Sequence, residues 1–98
     1  MLVRIVKLKF KRENIASFER IFEETKQNIR SFEGCTFLRL HQDLNDPSTF
    51  FTYSYWESEE ALDNYRASDF FNEVWGRTKL LFSDKPQAWS VSTRETLG

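Results

Sequence analysis

The stretch Y-W-E-S-E-E-A-L-D-N-Y-R-A-S-D-F-F, Tyr55 to Phe71, brings an indole and a phenol into apolar surroundings. Trp56 can donate its N–H to a carbonyl or an oxyanion. Tyr65, or Tyr53, can donate or relay a proton through its hydroxyl. In a dry pocket such donors hold a flat aromatic molecule and stabilise negative charge on oxygen at low dielectric. The same residues also suit plain packing. Trp56 ends an aromatic strand where a large ring would cap a core, and Tyr65 and Trp75 lie on an apolar helix stripe.

Other reactive side chains are sparse. His41 shares a strand face with Arg39 and Asp43, which reads as a solvated ion-pair ladder more readily than as a catalytic base. Cys35 follows a glycine turn and reads as a small buried filler. With one cysteine and one histidine there is no set for a structural zinc and no internal disulfide. Glu57, Glu59 and Glu60 crowd a helix start, where the dipole favours them, and no partners for a metal accompany them. Gly34, Gly76 and Gly98 make no phosphate loop. The expectation is a chain without metal or cofactor.

The elements that must position these groups follow from periodicity. Residues 2–10 alternate as a strand with Leu2, Val6, Leu8 and Phe10 on one face and Val3 and Ile5 on the other. From about Asn14 to Arg30, Ile15, Phe18, Phe22, Thr25 and Ile29 recur at helical spacing. Residues 35–43 and 49–56 are strands joined by the N-D-P-S turn at 45–48, which makes a hairpin. Ser58 is placed to cap a second helical region, with Ala61, Leu62 and Tyr65 on one face. Beyond a break near Ser68, Phe71, Val74, Trp75, Thr78 and Leu81 continue the stripe as one helix or two. Asp84-Lys85-Pro86 ends it, and residues 87–94 form a last strand with Trp89 and Val91 on one face.

The order β-α-β-β-α-β is that of an α+β, ferredoxin-like antiparallel sheet with helices on one face. Strand parity and the helix stripes place a pocket between the two layers. Its expected lining is Val6, Leu8, Phe22, Thr52, Trp56, Tyr65, Phe71 and Trp75. The opposite sheet face, with Phe51, Tyr53 and Tyr55, is too apolar for bulk water. A second copy of the chain is the simplest cover. The expected homodimer buries about 2,000 Å² or more in total.

Ninety-eight residues suit one domain, 1–98. Fourteen basic and fifteen acidic side chains leave a net charge of −1, which argues against a phosphate-binding surface and hence nucleic acid. Base stacking on Phe51, Tyr53 and Tyr55 is disfavoured further, because T-F-F-T-Y-S-Y-W lacks the basic and glycine positions of an RNA-recognition strand. No apolar run approaches a membrane span, and M-L-V-R-I-V-K is not laid out as a secretory signal. A soluble cytoplasmic protein is expected, with no membrane partner.

The run Y-W-E-S-E-E-A-L with Ser68 and Phe71 downstream, and the E-G-C turn at Glu33 to Cys35, resemble the pattern W-x-S-x-E-A … S-x-x-F of the antibiotic biosynthesis monooxygenase domain. The resemblance covers nearly the whole chain and implies a dimeric α+β barrel. Its members differ in reaction. The cofactor-independent anthrone oxygenases carry an Asn and a Trp four apart on the third strand and a Tyr in the next helix. Here the matching positions are Thr52, Trp56 and Leu62. The resemblance thus implies catalytic roles for Thr52 and Trp56, with Tyr65 as the nearby hydroxyl, and a cofactor-independent oxidation of a quinol-like or polycyclic phenolic substrate by O₂. In heme-degrading members the corresponding Asn, Trp and iron-ligating His positions read Val6, Tyr65 and Trp75, which disfavours that reaction. A non-catalytic dimer that binds a small apolar ligand, or acts as an interaction module, is the alternative.

Overall fold

The computed structural model describes residues 1–98. Strand β1 spans Leu2–Lys9, helix α1 Ile15–Arg30, strands β2 and β3 Cys35–Gln42 and Thr49–Trp56, helices α2 and α3 Glu59–Arg66 and Asp69–Thr78, and strand β4 Gln87–Ser92. The sheet is antiparallel throughout, in the order β2-β3-β1-β4. This is the ferredoxin-like α+β arrangement expected from the order of elements, with the second helical region built as two helices.

Ser68 causes that division. Its hydroxyl donates to the Tyr65 carbonyl (2.6 Å) and accepts from the Phe71 N–H (3.1 Å), so it closes α2 and opens α3. Ser58 caps α2 as expected, accepting from Ala61 N–H at 3.1 Å. The last strand stops at Ser92, two residues short of the run read from the sequence. Phe10 leaves β1 to form a lone bridge with Phe82.

One parity of each strand faces the helices. Leu8, Phe10 and Phe50 pack with Phe18 of α1, and the Phe10 and Phe18 rings stack at 4.3 Å. A second cluster joins Cys35 and Trp56 to Leu62 of α2. Simple alternation would place Cys35 beside Phe37. Instead the register shifts between those residues, Thr36 is the extra one, and Cys35 joins Leu38 and Leu40 on the helix side. Gly34 turns the chain into β2 at φ +89°, a conformation that disfavours a side chain.

The hairpin turn is held by two carboxylates. Asp43 accepts from the N–H groups of Asn45 and Asp46, both at 2.9 Å. Asp46 accepts from Ser48 N–H (3.0 Å), Ser48 Oγ (2.6 Å) and Thr49 Oγ1 (2.8 Å). Those hydrogen bonds, with a smaller contribution from Lys9, hold the Asp46 carboxyl well below the usual carboxylate range.

The other sheet face carries Ile5, Phe37, Phe51, Tyr53 and Tyr55, all half-buried, with Trp89 and Val91 exposed at the β4 edge. Phe37 and Tyr55 stack at 4.5 Å, and Arg39 covers the Phe37 ring at 4.8 Å. His41 lies on this face, exposed and edge-on to Tyr53.

Candidate active site

Helices α2 and α3 bridge the second half of the sheet loosely enough to leave a cavity of about 260 Å³ beneath them. Val6 and Leu8 of β1, Thr52 and Trp56 of β3, Phe22 of α1, Tyr65 of α2, and Phe71 and Trp75 of α3 all line it. The eight positions picked by strand parity and helix stripe therefore meet at one place. One wall is a chain of rings. Trp56 lies 4.8 Å from Tyr65, Tyr65 meets Phe71 edge-on at 5.0 Å, and Phe71 stacks on Trp75 at 5.9 Å. Such contacts fix ring orientation beyond what burial alone supplies.

The polar groups are few and specific. Trp56 is 1% exposed, and its indole N–H donates to Ser54 Oγ at 3.0 Å, so the donor is already committed within the protein. The sequence reading aimed that N–H at a ligand. In the structure it holds Ser54, whose hydroxyl proton remains free to donate. Ser54 was not among the expected site residues. Its only signal is its place two residues before Trp56, on the same strand parity.

Tyr65 is mostly buried, yet its hydroxyl makes no hydrogen bond within the chain. Thr36 Oγ1 is the one fully buried side-chain oxygen without a partner, so the Tyr65 hydroxyl is not fully enclosed, and the residue lines the cavity. Burial pushes this phenol far above its ordinary pKa, with the nearby Cys35 adding to the effect. Burial thus favours the protonated, hydrogen-bond-donating form of Tyr65. The Thr52 hydroxyl also lines the cavity.

The lining contains no Asp, Glu, His or Lys. Its charges are two arginines, Arg4 of β1 and Arg66 at the end of α2, both missed by the sequence reading. Arg4 stands on the apolar parity of its strand, between Leu2 and Val6, and that placement was the available signal. His41, on the far side of the sheet, does not reach this space. Cys35 is buried, burial raises its thiol, and its S–H donates to the Phe37 carbonyl at 3.6 Å. No three His, Cys, Asp or Glu side chains come together as a ligand set for a metal ion. No helix is long and apolar enough to cross a membrane.

The family model described as antibiotic biosynthesis monooxygenase matches residues 1–74. A conserved protein from Methanosarcina mazei Go1 has a similar structure, with TM-score 0.88 and 21% identity, over 96% of this chain and 94% of that one. An antibiotic biosynthesis monooxygenase superposes with TM-score 0.90 and 21% identity, over 97% of this chain and all of that one (100%). A protein from Pseudomonas aeruginosa gives TM-score 0.84 and 19% identity, over 96% and 94% of the two chains. At these identities the structural likeness is one of fold. No curated protein matches the chain.

Proposed function

Because the chain belongs to the antibiotic biosynthesis monooxygenase family, we propose that the cavity binds a small quinol-like aromatic and oxidises it with O₂, without metal or flavin. One oxygen atom ends on the substrate carbon and the other leaves as water, and the substrate supplies the electrons. The observation that carries this reading is Tyr65 in the wall of an aromatic-lined cavity, its phenol raised by burial and its hydroxyl without a partner in the chain.

The parts have separate tasks. Phe71, Trp75, Phe22, Val6 and Leu8 flank a flat ring and exclude water. Tyr65 donates to the oxyanion that forms as O₂ adds to the substrate, and Thr52 and Ser54 offer further hydroxyl donors. Trp56 acts through Ser54 by holding its oxygen. The volume of about 260 Å³ lies just under the ~300–1,000 Å³ typical of ligand pockets, which favours a one- or two-ring quinol over a larger polycyclic phenol. A second copy of the chain, seated on Phe37, Phe51, Tyr53 and Tyr55, completes the protein as a homodimer.

Oxygen uptake with reduced quinones is the test. Uptake above the buffer and heat-killed rates supports the oxygenase, and equal rates refute it. The lack of any carboxylate or histidine in the lining favours, as a second reading, a non-catalytic dimer that binds an aromatic ligand. Under that reading a quinol binds saturably and is not consumed. The heme-degrading alternative has little support, since His41 lies across the sheet from the cavity.

A further inference from the structure

Two arginines share a cavity that holds no other charged side chain, and no acid pairs with either. Arg4 and Arg66 both line it, and all the ion pairs of the chain lie elsewhere, at Lys9–Asp46, Lys26–Glu23 and Arg77–Glu73. One Arg4 nitrogen donates to Ser90 Oγ at 2.9 Å, which steadies the guanidinium and leaves its other donors unused. Arg66 stands in the last turn of α2, where the helix dipole favours a cation. The dipole accounts for Arg66 but not for the second arginine that β1 contributes to the same cavity. Burial, and then the charge of Arg66, depress the Arg4 pKa. Asp63 opposes that shift only in part. Two cations that repel each other, planar and rich in donors, make a fork suited to an anionic oxygen.

We propose that Arg4 and Arg66 form an anion subsite at one end of the cavity, so that the chain takes its aromatic ligand as an oxyanion, with the ring among Tyr65, Phe71 and Trp75 and the charged oxygen against the two guanidiniums. The inference rests on the cavity reading above and names its substrate class. It also supplies what the lining lacks. With no base in the cavity, a phenol must arrive ionised or lose its proton to water, and a cationic fork favours the ion. A carboxylate on the ring would satisfy the same donors.

The sign of one titration decides the matter, because the two effects oppose each other. A dry pocket raises the pKa of a bound phenol, whereas a cation within about 4–6 Å lowers it by about one to three units. The probe is 4-nitrophenol, whose ionised form is read directly by its absorbance. Bound to the intact protein, its pKa is expected to fall by about one unit. Arg66→Gln, at an exposed position that leaves folding intact, should remove at least half of that fall, and Arg4→Gln should do the same. In a parallel arm, 2-naphthoate should bind about tenfold more tightly than uncharged 2-naphthamide, with the preference shrinking as salt rises. Naphthoate preference without a phenol shift would assign the fork to carboxylates, and a phenol shift without that preference would assign it to phenolates. A bound nitrophenol whose pKa is unchanged or raised, together with equal binding of acid and amide, overturns the subsite, as does failure of both probes to bind. None of these readouts depends on turnover. The subsite therefore stands if no oxygen is consumed, and the oxygenase stands if the subsite fails.

Discussion

Replacing Gly34 by alanine tests how the turn before β2 seats α2 and, through it, Tyr65. The backbone there sits at φ +89°, and an added Cβ would lie 2.5 Å from the Ala61 Cβ, with Trp56 at 4.0 Å. Real Cβ atoms do not approach that closely, so α2 must move. A side chain in this backbone region costs about 1–2 kcal/mol, and overpacking a fixed contact adds about 1–3 kcal/mol. The sum is roughly 2–5 kcal/mol, a large part of the stability of a domain this small. At about 4–8 °C per kcal/mol, the melting temperature should fall by at least ~8 °C. Urea unfolding followed by circular dichroism measures the loss directly. Adding Ala61→Gly separates the causes, since it relieves the clash and leaves the backbone strain. The double variant should recover the overpacking part and keep the rest. A Gly34→Ala protein within about 0.5 kcal/mol of the parent would refute the reasoning.

Three further outcomes follow from named contacts. Trp56→Phe should lower stability by about 2–3 kcal/mol in urea unfolding, because it opens space at a 1% exposed site and strips Ser54 of its donor. Tyr65→Phe removes a hydroxyl with no partner in the chain, so stability should hold within about 0.5 kcal/mol. Quinol oxidation should then drop about 10²-fold, and no loss of rate would remove Tyr65 from the chemistry. The Asp46 carboxyl is depressed in the folded chain, so its contribution is present above the unfolded value, about 3.9, and is lost as pH falls below it toward the folded value. Asp46→Asn should therefore flatten the decline in urea midpoint between about pH 5 and pH 2, and an unchanged slope would refute that role.

The elements were readable where two signals agreed. Ser58 stood before an acidic first turn and an apolar stripe, and it caps α2 as that pattern requires. Strand β3 placed Thr52 and Trp56 on the helix side because aromatic residues fill both parities and only one parity agrees with α1 and α2. The β2 bulge was not readable. Cys35 and Phe37 alternate as well as any pair, and only the fold shows that the register shift seats Cys35 against Leu62. Ser54 and Arg4 were missed for a related reason, since polar residues on an apolar parity look like interruptions until the space they face is known. The direction of the Trp56 N–H depends on a partner two residues away, and no spacing rule reports it.

Strand β3 is a partition one residue thick. Its even-numbered residues furnish the inner chamber, and Phe51, Tyr53 and Tyr55 form the outer wall. Point changes can therefore adjust either room without redecorating the other. An insertion or deletion between Thr49 and Trp56 cannot do so. Shifting the frame by one would turn tyrosines inward and the serine and threonine outward, so ligand choice and surface would be lost together. Over time this strand should accept exchanges of side chain far more readily than changes of length.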